Sequence, residues 1–353
     1  MPRMSETRAT EIARQLYGVT AVAARLASEH DDTFRLALPD GTSRFLRVSG
    51  PDPAAGGTAP SGTSFLTAIL LHLARTAPGL PVQRIIPSLS GATEVVTEEA
   101  TGTGRSRLVR MTTFLPGRLL REAPSSPGLR RDVGATLARL SLALRGFTHP
   151  AARRTHRWDL QNAPQLRPLL DELPGLPPGL RGRLDATLDR FEAVVGPALA
   201  GVPVQVIHAD FHGDNLLASD DGRAVCGVLD FGDSLIGPVA MDVAVAACYQ
   251  LGADRLASGG EADLLAPALD VVAGYHAADP LRPADLPLIA ELITVRLATR
   301  IIVSQWNAAR EPANSAYLLR RTPQAIAQFD AFRAIPREAV VGRLRTATGM
   351  HDA

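Results

Sequence analysis

Two short motifs set in β-prone sequence constrain this chain most. Val206-Ile-His-Ala-Asp-Phe-His-Gly-Asp-Asn215 places His208, Asp210 and Asn215 in the spacing H-x-D-x-x-x-x-N. Val228-Leu-Asp-Phe-Gly-Asp233 places Asp230 in D-F-G, fifteen residues after Asn215. Apolar, strand-like runs precede both, over Val202–His208 and Ala224–Asp230, and Ser219-Asp-Asp-Gly222 between them reads as a tight turn. A short strand is expected over Asn215–Ala218. The loop carrying Asp210 and the strand end carrying Asp230 should then return to one mouth. A lone His-x-Asp or a lone D-F-G says little. Together, in this order and spacing, they fit phosphoryl transfer: one carboxylate to orient a hydroxyl, and a carboxamide with a second carboxylate to hold magnesium on a nucleotide's phosphates.

Length and charge set the frame. The 353 residues exceed what one core supports, and two lobes are expected. A net charge of +1 implies no nucleic-acid partner. The N-terminal Met1-Pro-Arg-Met-Ser-Glu-Thr-Arg8 lacks an apolar core for export, and the apolar run near Val239–Leu251 is cut by Asp242 and too short to span a bilayer. Cys226 and Cys248 lie in apolar runs and read as buried thiols in a reducing compartment. The expectation is a cytoplasmic monomer or homodimer that contacts no membrane. One further fact matters for phosphate chemistry: all 37 basic residues are arginine, and lysine is absent.

Along the chain, a helix is predicted over Thr7–Tyr17, then strands over Ala21–Ser28, Thr33–Leu38 and Arg44–Val48. A Gly/Pro/Ser-rich loop follows over Gly50–Gly62, and a helix capped by Thr63 or Ser64 carries Phe65, Ile69, Leu70 and Leu73. Further strands are predicted over Arg84–Ser88, Thr93–Glu98 and Arg107–Phe114. Leu115-Pro-Gly117 breaks the pattern. From Arg130 onward the chain reads as mostly helical, with segments at Arg130–Arg145, Ala163–Leu173, Leu180–Leu199, Ala240–Leu251, Asp263–His276, Pro283–Asn307 and Thr322–Arg333. This gives an α+β fold: a small β-rich lobe over residues 1–114 and a large, mostly α-helical lobe over 115–353, the plan of a protein kinase.

These motifs resemble the aminoglycoside phosphotransferase and choline kinase superfamily, and within it the hydroxylysine kinase-like group. Softer likenesses extend over most of the chain: Glu29-His-Asp-Asp-Thr-Phe34, Phe147-Thr-His-Pro-Ala151, Trp158-Asp-Leu160, Gly237–Ala244 and Pro312–Leu318. The resemblance implies a bilobal kinase-like fold and O-phosphorylation of a small molecule by ATP or GTP with Mg2+. It implies Asp210 as the group steering the acceptor hydroxyl, His208 as a brace of its loop, and Asn215 and Asp230 as metal ligands. Ser28, Arg47, Thr112 and Phe114 would serve the nucleotide, with the backbone at Thr112–Phe114 at the base. Asp242 would either cap the catalytic-loop backbone or simply begin a helix. Trp158, Asp159, Asp233, Arg296, Arg300 and Trp306 are substrate-side candidates.

The chain departs from that pattern in one place. The superfamily's third strand carries a lysine for the α and β phosphates, oriented by a glutamate on the next helix. Arg44-Phe-Leu-Arg-Val48 offers Arg47 instead, and Phe65-Leu-Thr-Ala-Ile69 offers no carboxylate. Arginine can grip phosphate bidentately but does not substitute freely for lysine. There is also no G-x-G-x-x-G. An antibiotic O-phosphotransferase (nucleoside or aminoglycoside type) is the first expectation. An amino-alcohol kinase of hydroxylysine or homoserine type and a nucleotide-binding pseudokinase are the alternatives. A metallohydrolase built on His208, Asp210 and His212 is disfavoured, because the other histidines show no ligand spacing.

Overall fold

The computed structural model describes residues 4–28, 31–49, 64–98, 106–173, 175–252 and 263–350. The chain divides into two compact units, Met1–Pro116 with Gly227–Leu229, and Gly117–Cys226 with Asp230–Ala353. The sequence reading places a single break after Phe114. The three-residue excursion Gly227–Leu229 is invisible to it, because a bridge between Val228 and Val82 and a 2.7 Å bond from the Val228 amide to the Pro81 carbonyl create it.

The first unit is an antiparallel sheet with helices on its two faces. Helix α1 (Glu6–Tyr17) begins where the Ser5 hydroxyl accepts from the Arg8 amide at 3.2 Å, and ends at Gly18 in the left-handed region, φ 66°. Strands β1 (Val22–Leu26), β2 (Asp32–Ala37), β3 (Ser43–Ser49), β4 (Ile85–Ile86), β5 (Val95–Glu98) and β6 (Ser106–Thr113) follow, with α2 (Phe65–Thr76) between β3 and β4. The path is β1-β2-β3-β6-β4, and β5 also pairs with β6. Period-two alternation decides the faces. Phe34, Leu46 and Met111 stand in one register row and pack with Ala9, Ile12, Ala13 and Tyr17 of α1. The neighbouring row, Thr33, Arg47 and Arg110, points the other way, where Arg110 meets Thr67 of α2 at 2.8 Å. Glu29, His30, Thr63 and the predicted Gly50–Gly62 loop lie outside the described residues. Ser64 precedes α2, yet its side chain does not cap it; hydroxyl and amide both turn to Glu94.

The second unit sets two short sheets among its helices. Strands β7 (Arg118–Leu119), β9 (Leu216–Ala218) and β10 (Val225–Val228) form one ladder in the order β10-β9-β7, and β8 (Val204–Ile207) pairs antiparallel with β11 (Leu235–Pro238). The β8–β11 pair follows the two motifs around: β8 leads into the Asp210 loop and β11 leaves the D-F-G turn. Helices α3 (Pro127–Leu144), α4 (Arg167–Asp171), α5 (Leu180–Arg190), α6 (Gly196–Ala200), α7 (Val239–Cys248), α8 (Ala266–Ala278), α9 (Asp285–Arg310), α10 (Ser315–Leu319), α11 (Thr322–Ala334) and α12 (Arg337–Thr348) complete it. Two predicted helices are broken. Leu180–Leu199 passes through a π turn at Phe191–Val195, one residue short of Pro197, which has no N–H for the ladder. Ala163–Leu173 is a 3-10 run over Leu160–Leu166 with Pro164 inside, followed by α4. Helix α12 and strand β11 are not foreseen by the sequence reading.

Helix α9 is the axis of this unit. It is apolar nearly all round, and even its charged Glu291, Arg296 and Arg300 are buried. Helices α3 and α8 lie so close that a Cβ on Gly134 would stand 1.9 Å from the Val271 carbonyl oxygen, and one on Gly274 2.0 Å from that of Arg131. Backbone cannot yield there as a flexible side chain can. Gly274→Ala is expected to cost on the order of 2 kcal/mol or more, read as a clear fall in thermal midpoint; an unchanged midpoint would show that the two helices can move apart freely.

Candidate active site

The loop between β8 and β9 carries Asp210, His212 and Asn215, and its shape is imposed from beneath. The buried Asp242 of α7 accepts from the His208 amide at 2.8 Å and the Ala209 amide at 2.7 Å. Those two bonds hold Ala209 at φ 66°, a left-handed conformation that costs an alanine about 1 kcal/mol or more. Asp242 thus caps the loop as well as lying in the first turn of α7. Burial raises its pKa, and the His208 ring and the two amides only partly oppose that. His208 is fully buried, accepts from the Asp210 amide at 3.3 Å through Nδ1, and packs edge-on against Phe211 and close to Phe231. Asp214 locks the far side through Arg121 and through Arg321 at 2.7 Å.

The Asp210 carboxylate is densely bonded. Arg296 Nη2 donates to Oδ1 at 2.6 Å; Asn215 Nδ2 donates to Oδ2 at 2.7 Å; His212 Nε2 lies 3.0 Å from Oδ2. The Asp214 amide donates to His212 Nδ1 at 3.2 Å, which makes Nε2 the protonated nitrogen and hence the donor to Asp210. Burial would raise the Asp210 pKa, but His212 first and Arg296 next outweigh it and hold the carboxyl well below the usual carboxylate range. Asp233 shows the opposite: burial, and then the charge of Asp210, push it up.

Asp230 is exposed, sits at φ 50°, and accepts from the Gly232 amide at 3.0 Å, which closes the D-F-G turn. Asparagine and aspartate tolerate the left-handed region better than other side chains. A hard divalent cation takes oxygen ligands. Asn215 spends its amide nitrogen on Asp210, leaving its oxygen for another partner, and with the Asp230 carboxylate it forms a donor set of the right chemistry. Among the described residues no three His, Cys, Asp or Glu converge on one point, so such a cation would complete its shell with phosphate and water oxygens.

In the first unit, Arg47 bonds to Asp31. Helix α2 carries no acid of its own, and the carboxylate at its start comes from another element and pairs with Arg110, not with Arg47. Glu94, in the approach to β5, accepts from the Ser64 amide at 2.8 Å and from Thr67 at 2.5 Å, and pairs with Arg110 at 3.3 Å. Burial, and then the like charge of Arg47, push Arg110 down to about 10. The Ser28 hydroxyl accepts from the Asp31 amide at 3.4 Å, the Thr112 hydroxyl is buried with no partner among the described residues, and Phe114 stacks on Arg35 at 5.1 Å.

The sequence profile of the phosphotransferase enzyme family matches residues 22–286. The chain belongs to this family. It is 28% identical over 328 residues to a hydroxylysine kinase of Danio rerio, covering 90% of this chain and 88% of that one. It is 29% identical over 324 residues to a homoserine kinase of Caulobacter sp. (strain K31), covering 91% of each. Among solved structures, an amicoumacin kinase in complex with AMP-PNP, Ca2+ and Ami superposes with a TM-score of 0.68 at 16% identity, over 96% of this chain and 97% of that one. The protein is a small-molecule phosphotransferase with the kinase-like fold.

Within this phosphotransferase the substrate-side candidates separate. Trp158 lies over the Arg296 guanidinium at 5.0 Å, and so belongs to the surroundings of Asp210, as does Asp233. Asp159 turns inward instead: it is buried and binds the Gln161 amide at 3.0 Å and the Asn162 side chain at 2.6 Å, closing the start of a 3-10 turn. Arg300 faces Gln328 at 3.2 Å and the Tyr249 ring at 4.5 Å rather than Asp210. Trp306 bonds to Glu172 at 2.8 Å and stacks between Arg157 and Arg310. Of the thiols, Cys248 is buried but Cys226 is only half-buried. Sequence reasoning misses Tyr249, Arg121 and Glu94, which carry no motif and are recruited only by packing. Asp242→Ala is expected to leave two buried amides without acceptors, lowering stability by about 3 kcal/mol in urea unfolding and reducing phosphoryl transfer with it. Wild-type stability and turnover in this variant would remove Asp242 as the support of the loop.

Proposed function

We propose that this enzyme transfers the γ-phosphate of ATP or GTP to the hydroxyl of a hydroxy amino acid or related amino alcohol, of hydroxylysine or homoserine type. The observation that carries this reading is similarity to hydroxylysine and homoserine kinases over about nine-tenths of each chain, supported by Asn215 bonded to Asp210 and by Asp233, which lies near enough to feel the charges of both Asp210 and Asp230. The antibiotic reading has weaker support, because the amicoumacin kinase shares the fold at 16% identity and no more.

In this proposal Asp210 accepts the hydrogen bond of the substrate hydroxyl and aims its oxygen at phosphorus. A carboxylate held below its usual range suits that task, because the transition state is loose and positioning dominates. Asn215 and Asp230 would hold Mg2+, which when bound neutralises charge on the transferring phosphate. Asp233 and Trp158 line the acceptor side. In the first unit, Arg47 takes the place of the phosphate-binding lysine, with Thr112, Phe114 and Ser28 toward the nucleoside. The orphaned Thr112 hydroxyl supports a ligand there.

Transfer from ATP and GTP with Mg2+ to hydroxylysine, homoserine, amicoumacin and an aminoglycoside, followed by mass spectrometry, tests the assignment. Hydroxy amino acids are expected to gain phosphate; phosphorylation of the antibiotics alone would replace this reading with the other. Asp210→Asn is expected to lower kcat by at least about 100-fold with nucleotide affinity retained, and near-normal turnover would sink its role. Arg47→Ala should raise the nucleotide KM by about tenfold, the loss of one charge-assisted hydrogen bond. An unchanged KM would take Arg47 out of the site.

A further inference from the structure

A carboxylate oxygen accepts two hydrogen bonds, so the four positions on Asp210 can be accounted for. Oδ2 is full, with Asn215 Nδ2 at 2.7 Å and His212 Nε2 at 3.0 Å. Oδ1 holds Arg296 Nη2 at 2.6 Å and, among the described residues, no second donor. One acceptor position remains, and it lies beside the guanidinium.

The two fixed donors share a support. Arg296 is 1% exposed, with its guanidinium between the rings of Trp158 and Tyr249, at 5.0 and 5.4 Å. Its Nη2 also reaches the Tyr249 hydroxyl at 3.2 Å, and Nη1 the Trp158 carbonyl at 3.4 Å. The same Tyr249 ring stacks on His212 with centroids 4.4 Å apart and planes 25° from parallel. One aromatic side chain at the end of α7 therefore backs both the donor to Oδ1 and the donor to Oδ2. Burying an ion pair of this kind seldom beats an apolar filling of the same volume, so stability alone does not account for an arginine here.

We propose that Arg296 and His212, set by Tyr249, are positioning residues that hold Asp210 in one orientation and leave a single place on Oδ1 for the acceptor hydroxyl. The inference rests on the reading of Asp210 as the group that orients that hydroxyl. It puts the Arg296 guanidinium on the same carboxylate oxygen that would take the acceptor hydroxyl. The cage works through Asp210; none of its three members needs to touch the phosphate.

Steady-state kinetics on the full chain, with saturating Mg-ATP and the best acceptor from the panel, decide the matter. Arg296→Met is expected to lower kcat on the order of 100-fold while the nucleotide KM stays near wild type. Arg296→Ala should regain part of its kcat when methylguanidinium is added, which a merely structural defect would not do. Tyr249→Leu should lower kcat in the same direction through both donors. A folded Arg296→Met with wild-type kcat overturns the proposal. If Arg296→Met does not fold, His212→Gln and Tyr249→Leu take its place, and normal kcat in both overturns it equally. Turnover surviving in Asp210→Asn defeats the functional reading itself, whereas an inactive Asp210→Asn beside a fully active Arg296→Met defeats only the cage.

Discussion

Two hydrogen bonds to one buried carboxylate organise the second unit of this phosphotransferase. Asp242, carried on α7, takes the amides of His208 and Ala209 at 2.8 and 2.7 Å. Without an acceptor there, Ala209 has no reason to remain left-handed, and the chain would leave β8 in another direction. The turn it enforces sets the orientation of Asp210 and the path to Asn215. The antiparallel pairing of β8 with β11 then keeps the D-F-G turn in step with that loop. A carboxylate that burial makes costly is retained because it converts helix position into loop conformation.

The same logic extends outward through arginine. Asp210 is held by Arg296 and Asp214 by Arg121 and Arg321, so both acids of the loop are tied to distant parts of the unit. In the first unit Asp31 binds Arg47, and Glu94 binds Arg110. A planar guanidinium with five donors can hold a carboxylate and stack on a ring at once, as Arg296 does between Trp158 and Tyr249; a lysine ammonium cannot. A chain without lysine therefore builds its charged network as combined ion pairs and stacks.

Legibility follows range. Strands β1 to β6 and the long helices were readable, because period-two and helical alternation are local signals. The breaks at Phe191–Val195 and Leu160–Leu166 were missed although Pro197 and Pro164 stood in plain view. Strand β11 went unseen because four residues, Leu235–Pro238, carry no pattern of their own and exist as a strand only against β8. The bonding of Asp159 is hidden for a related reason: a carboxylate beside a tryptophan reads as a pocket residue, and only the fold shows its oxygens on Gln161 and Asn162.

The class of fold and the family are written in the sequence, and so is the closeness of Asn215 to Asp210, since a short loop leaves those two residues few places to go. Tertiary structure alone decided what surrounds them. Arg296 lies 86 residues from Asp210, and Glu94 lies 27 from Thr67. Such pairs form only when a helix axis or strand register has brought them within 3 Å, and no local spacing encodes that. The absence of an acid on α2 was correctly read from the sequence. That Glu94 would bind the start of α2 and pair with Arg110 could be learned only from the folded chain, because a hydrogen bond is blind to the route by which its partners arrive.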